Sequence, residues 1–136
     1  IHVQNAGQDI PVFTEITEAD LIDKVRQLFS YSLHDVTVSR FRRMMTIEQF
    51  RSPQLAELYT RRYVGRVVAY HAEIFRSLIE AGKIHNEDLE SLSMMYVAPI
   101  ITWLGICDRQ PEKEAECMAK LDAHIRLFYR TFHMER

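Results

Sequence analysis

The sequence is poor in the residues that break a chain or staple it. Glycine and proline number four each in 136 residues, and cysteine two. So few turn formers exclude a loop-rich all-β fold, which needs a turn signal roughly every 10 residues. Cys107 and Cys117 make no Cys-x-x-Cys pair and no zinc spacing. Neither a disulfide framework nor a zinc site is expected, and the simplest reading is a reduced, cytoplasmic protein. Neither sign of charge dominates. The net charge is −2, so the chain has no overall pull toward nucleic acid or anionic lipid. Long apolar runs are missing too. The longest stretch without a charged residue, Ser91 to Cys107, contains Ser93, Tyr96, Pro99 and Thr102. It falls short of the ~20 apolar residues of a membrane span, and no membrane partner is expected. No signal peptide is visible. The chain begins at Ile1 rather than Met, as expected of a piece of something longer.

The signatures of catalysis are equally thin. There is no Glu-x-x-His, no His-x-x-x-His and no phosphate-cradling glycine loop, which argues against di-iron, zinc and nucleotide chemistry. No enzyme activity, metal or cofactor is expected.

What the sequence does hold is helical periodicity. At 47% hydrophobic and 26% charged it has a globular balance. Residues 1–16, with Gly7 and Pro11, form an extended lead-in or linker, and residues 17–136 one helical domain. Thr17 reads as an N-cap with Glu18 and Asp20 behind it. Leu21, Ile22, Val25, Leu28, Phe29 and Leu33 then make one apolar face. His34 to Thr37 is a break or kink. Ser52-Pro53 starts a long helix, which Gly82 ends as a left-handed cap near Ala81. At ~100° per residue the apolar residues of this helix cover about half the wheel, wider than an ordinary surface stripe. It should be central. Asn86 reads as the cap of the next helix, with Asp88 in its first turn. From Met94 to Cys107 that helix is apolar or small all round, and must be covered on more than one side. Asp108 to Pro111 turns into a last helix ending near His133.

On the last helix, Met118, Leu121, Ile125, Phe128 and Phe132 repeat at three and four, the period of a helix-pairing seam. Ala115, Ala119 and Ala123 line a neighbouring face. Together with Tyr96 and Ile100 of the preceding helix, these residues are expected at a homodimer interface. Two such hairpins about a two-fold axis would form a four-helix bundle. The alternative is that the earlier helices cover both faces.

The stretch from Arg43 to Tyr59 (RMMTIEQFRSPQLAELY) resembles the middle of the C-terminal domain of TetR-family transcriptional regulators. So do Leu78 to Ile84 (LIEAGKI), the acidic helix start Asn86-Glu87-Asp88 and the two closing helices. The resemblance spans about residues 17–134. It implies an all-α bundle of about five helices that binds a small molecule and dimerises through its last two helices. It further implies a repressor-like design, in which ligand alters DNA binding by an N-terminal helix-turn-helix unit. That unit is expected to be absent from this chain, so operator DNA is a partner only through the missing part.

A small hydrophobic or amphipathic effector is the ligand class implied. Tyr63, Tyr70 and His71 supply the few polar groups a pocket uses, with Tyr59 one turn earlier. Phe29, Phe41, Met45, Met94, Met95 and Trp103 are candidates for an apolar wall. For any one of them a plain core position is the better reading, with a few of them lining a cavity. Pro99 removes one helical hydrogen bond and tends to kink its helix. The clusters Arg40, Arg42, Arg43 and Arg61, Arg62, Arg66 read as a solvated face or intrachain pairs. Minor readings are a pH-sensitive or metal-bridged interface at His124 and His133, and a redox pair at Cys107 and Cys117. Beside the regulator stands a second reading, a stand-alone helical protein-interaction module without ligand.

Overall fold

The computed structural model describes residues 17–134, and the lead-in expected over 1–16 lies outside them. The described residues are helical, joined by short turns and one isolated β-bridge. Helix α1 (Glu18–His34) opens on a capping box. The Asp20 N–H donates to Thr17 Oγ1 at 3.2 Å, and the Thr17 N–H to Asp20 Oδ2 at 3.3 Å. The break after His34 is a fresh start. The Asp35 carboxylate accepts from the Val38 N–H at 2.9 Å and begins α2 (Val36–Glu48). Helix α3 (Pro53–Thr60) has Ser52 as cap and Pro53 in its first turn, where the missing N–H costs nothing.

Between α3 and α4 (Arg66–Glu80) the chain does not leave the helix. It passes through one wide turn, Arg61–Gly65, in which the Arg66 N–H bonds back to the Arg61 carbonyl. Gly82, at φ 71°, ends α4. Its N–H bonds to the Ile79 carbonyl and that of Lys83 to Leu78, which satisfies the last carbonyls of the helix.

Helix α5 (Leu89–Arg109) starts two residues later than expected. The cap is Asp88, whose carboxylate accepts from the Ser91 N–H at 3.0 Å, and not Asn86. The same bonds hold the Asp88 carboxyl below its usual pKa. Residues 83–85 are held elsewhere: the His85 N–H bonds to Phe132 O and the Met134 N–H to Lys83 O. One turn of 3-10 helix, Pro111–Lys113, leads into α6 (Glu114–Phe132).

Helix α5 is the centre of the bundle, packed against α1, α4 and α6. By length and composition it alone among the described helices could cross a membrane, although its longest uncharged run is shorter than a span. Here its inner face, Leu92, Ser93, Tyr96, Val97 and Cys107, is buried in the protein's own core.

The 3-4 repeat of α6 serves the same core. Leu121 and Ile125 are fully buried, Phe128 nearly so, and Met118 and Phe132 pack against the two clusters that these residues help build. Tyr96 is buried with them, and Ile100 packs against both clusters. Of these seven residues, expected at a dimer interface, Tyr96, Leu121, Ile125 and Phe128 are thus buried within the chain's own core, and Ile100, Met118 and Phe132 lie half-buried against it. A seam of this period is the same whether its partner lies in the same chain or another, and here α1 and α5 fill it. Ion pairs fasten α1 over α6: Arg26 Nη1 lies 2.6 Å from Asp122 Oδ2, and Glu18 meets Arg130 at 3.4 Å. Ala115, Ala119 and Ala123 stay exposed on the outer side of α6.

Candidate ligand cavity and outer helical face

Tyr59, Tyr63, Val67 and His71 stand four apart on the long helix and line one cavity. In an unbroken α-helix twelve residues at ~100° each would carry His71 about 120° round from Tyr59. The wide turn takes up one extra residue, which cuts the offset to about 20°. A single irregular turn thus aligns four side chains that a regular helix would fan out.

The opposite wall is α5, from Tyr96 and Val97 through Ile100, Ile101 and Leu104 to Gly105, Asp108 and Arg109. Helix α1 closes one side with Val25, Leu28, Phe29 and Ser32, and α2 the other with Arg42, Arg43, Thr46 and Ile47. The cavity, open at one side, has a volume of about 350 Å³, at the small end of ligand pockets, which run from ~300 to ~1,000 Å³.

Its two ends differ chemically. At one end the His71 Nδ1–H donates to the Val67 carbonyl at 2.9 Å, leaving Nε2 as an acceptor. Burial pushes the His71 pKa down, against the pull of that hydrogen bond, so the ring is neutral at pH 7. Tyr96 lies 5.1 Å away, centroid to centroid, and burial raises the pKa of its hydroxyl. At the other end Tyr59 and Tyr63 pack at 4.9 Å, and the Tyr59 hydroxyl lies 3.4 Å from Thr46 Oγ1. Burial raises the Tyr63 pKa, opposed by the charge of Arg62. The Tyr63 hydroxyl is therefore neutral at pH 7.

Beneath that end lies an ion pair. The Arg42 guanidinium grips Asp108 with two bonds of 2.8 and 2.7 Å, and donates a third, of 2.7 Å, to the Ser32 carbonyl. Arg42 is 7% exposed, so the pair joins α1, α2 and α5 in a place with little water. Sequence reading put Arg42 in a cationic cluster with no named partner. A lone arginine cannot be told from a surface one until Asp108, 66 residues on, is brought beside it.

Of the nine residues expected to contact ligand, Phe29, Tyr63 and His71 line the cavity. The other six do not. Met45 is buried beside it but off its lining, and Phe41 sits under Arg62, whose Cζ is 4.8 Å from its ring. Tyr70 packs edge-on against His71, and Trp103 against His124. Met94 and Met95 point the other way. They are exposed on the outer side of α5, next to half-buried Ala98 and Pro99 and beside Leu127 of α6. Met95 is 56% and Leu127 68% exposed. With the alanine stripe they form an apolar strip that no described residue covers.

The two cysteines lie together in the core, unoxidised. Burial, helped by contact with Cys117, pushes the Cys107 thiol up to about 12. The thiol is therefore protonated at neutral pH.

No protein-family model matches the sequence, and no curated protein does. Among solved structures, the chain is similar to a crystal structure from Mesorhizobium loti described as a TetR-family transcriptional regulator. The TM-score is 0.72 over 97% of this chain and 71% of that one, at 19% identity. The fold is a TetR-type fold. At that identity the likeness speaks for architecture and not for ligand or operator. The TetR-type bundle here places a cavity on one side of α5 and a bare apolar strip on the other.

Proposed function

We propose that this chain is the effector-binding and dimerisation part of a TetR-like transcriptional regulator. The observation that carries the reading is the cavity: a partly open, mostly apolar space with a few fixed polar groups, set within a TetR-type fold. Its ligand is a small molecule of about a dozen heavy atoms, at ~30 Å³ each. The partner is a second copy of the chain, docked through the outer strip of α5 and α6, where Met94, Met95, Leu127 and the three alanines lie bare. Operator DNA is read by a helix-turn-helix unit outside residues 17–134, and the protein works in the cytoplasm. Ligand acts by favouring one arrangement of the two copies over another.

Light scattering at micromolar concentration tests the dimer, and a thermal-shift screen of small amphipathic molecules tests the cavity. A dimer whose melting temperature rises with saturable ligand is the expected result. A clean monomer, or a melting temperature that no compound moves, contradicts the reading and favours a ligand-free interaction module.

A further inference from the structure

The basic end of the cavity says what kind of effector it takes. Three arginines and one aspartate border it, a net charge of +2 with His71 neutral. Arg42 and Asp108 satisfy one another and are spoken for. Arg43 and Arg109 make no ion pair with any described residue. One is on α2 and the other on α5, so they approach the opening from opposite walls, and both are exposed enough to swing. Arg109 is steered as well. A Cβ on Gly105 would stand 3.3 Å from Arg109 Nη1, so the guanidinium folds back along α5 over a residue with no side chain, toward the opening. Between this end and Tyr96 lie 13 residues of α5, about 20 Å of helix. Along that length the α5 wall is Val97, Ile100, Ile101 and Leu104.

We propose that the effector is an amphipathic organic carboxylate. Its apolar body lies along α5 toward His71, and its carboxylate sits at the opening between Arg43 and Arg109. An arginine fork matches a carboxylate in shape and charge. The same two cations repel an ammonium ligand and give a neutral alcohol no charge to hold. His71 Nε2, an acceptor with no proton of its own, suits a hydroxyl or amide N–H at the far end of the body and disfavours a second anion there. The proposal rests on the cavity being a small-molecule site, and the experiment separates the two claims.

Three probes of equal chain length are titrated by calorimetry: decanoate, which has 12 heavy atoms, 1-decanol and decylammonium. Decanoate is expected to bind about tenfold or more tightly than decanol, decylammonium not at all, and the preference to shrink in about 0.5 M NaCl. In the doubly substituted Arg43→Gln/Arg109→Gln protein, whose changes are exposed and leave the fold intact, decanoate falls to the affinity of decanol while decanol is unmoved. Equal binding of decanoate and decanol to the native chain, unaltered by the double substitution, overturns the carboxylate claim and leaves the cavity standing. Decanoate binding that persists in a folded Ile101→Trp variant puts the ligand outside the cavity and overturns both. So does the absence of binding by all three probes.

Discussion

The Arg42–Asp108 pair is the sharpest test of how this bundle is held together. The Arg42 side chain is 8% exposed and that of Asp108 15%. Replacing Asp108 by Asn keeps the shape but strands the guanidinium next to a neutral amide. Replacing Arg42 by Met strands a carboxylate and the Ser32 carbonyl. Breaking a fully buried pair from one side costs about 3–5 kcal/mol. Asp108 lines the cavity and its side chain is 15% exposed, so the cost falls at or just below the bottom of that range, about 2–3 kcal/mol for either single change. In a chain of this size that lowers the melting temperature by roughly 10 °C. The double change Arg42→Met/Asp108→Leu removes both charges together. It should return to within about 1 kcal/mol of the native chain, because two apolar side chains owe no desolvation. Urea unfolding at one fixed protein concentration measures all four corners of the cycle. Single variants within about 1 kcal/mol of native would refute the reasoning, since an exposed pair contributes up to that much. So would strict additivity, which would mean that the two residues do not interact.

Charging the outer strip by Met95→Arg/Leu127→Arg should leave the circular dichroism unchanged, because both residues are exposed. It should convert the proposed dimer to monomer in light scattering; a dimer that survives would place the interface elsewhere. His71 has a folded pKa below its usual value of 6.5, so the unfolded chain takes up a proton more readily. The stability that His71 contributes is complete above about pH 6.5 and is lost as the pH falls below it. A His71→Gln variant, compared with the native chain by denaturation at pH 5 and 8, should lose less stability on acidification; an equal loss would mean the ring is solvated. Cys107 titrates in the opposite sense. Its folded pKa of about 12 lies above the usual 9, so its contribution is present below pH 9 and drains away as the pH rises toward 12. In the native protein at pH 8 an aromatic disulfide reagent should label neither thiol until denaturant is added, and rapid labelling would show that the α5–α6 core opens.

What was legible in the sequence was chemistry that acts locally. Thr17, the Ser52-Pro53 start and Gly82 were readable because each solves a hydrogen-bonding problem within its own turn. The two-residue error at α5 is of the same kind. Asn86, Glu87 and Asp88 each offer an oxygen, and the choice falls to Asp88 because Lys83 and His85 are pinned to the end of α6. The wide turn at Arg61–Gly65 leaves no mark in composition. A wheel drawn at a constant angle therefore spread one stripe into half a circle. The seam on α6 is filled from within the chain, where Leu121 and Ile125 meet α1 and α5, while the alanines, Met94, Met95 and Leu127 form a less periodic exposed strip. Periodicity shows that a face is buried and says nothing about by what. The pairing of Arg42 with Asp108 was invisible for the same reason at longer range.

Helix α5 explains why cavity and outer strip belong to one device. Its residues 97, 100, 101, 104, 105 and 108 line the cavity, while 94, 95, 98 and 99 face outward. The helix is one layer thick between the two. A body of a dozen atoms fills the cavity between α4 and α5, and any part of it that exceeds the space moves a wall, because packed side chains do not compress. Helix α4 is tied down at Gly82 and, through Phe75, to Phe128 of α6. Helix α5 carries Pro99 in its middle, where the missing N–H leaves the Met95 carbonyl without its usual helical donor and makes bending cheaper than elsewhere. Residues 94–99 are therefore where a push from the cavity emerges on the outer face. If that is how ligand reaches a second copy, Pro99→Ala should leave ligand affinity within about threefold of native yet weaken the change in dimerisation that ligand produces. The two quantities are separable by calorimetry and by sedimentation with and without ligand. A variant whose dimer responds to ligand as the native one does would show that the signal leaves the cavity by another helix.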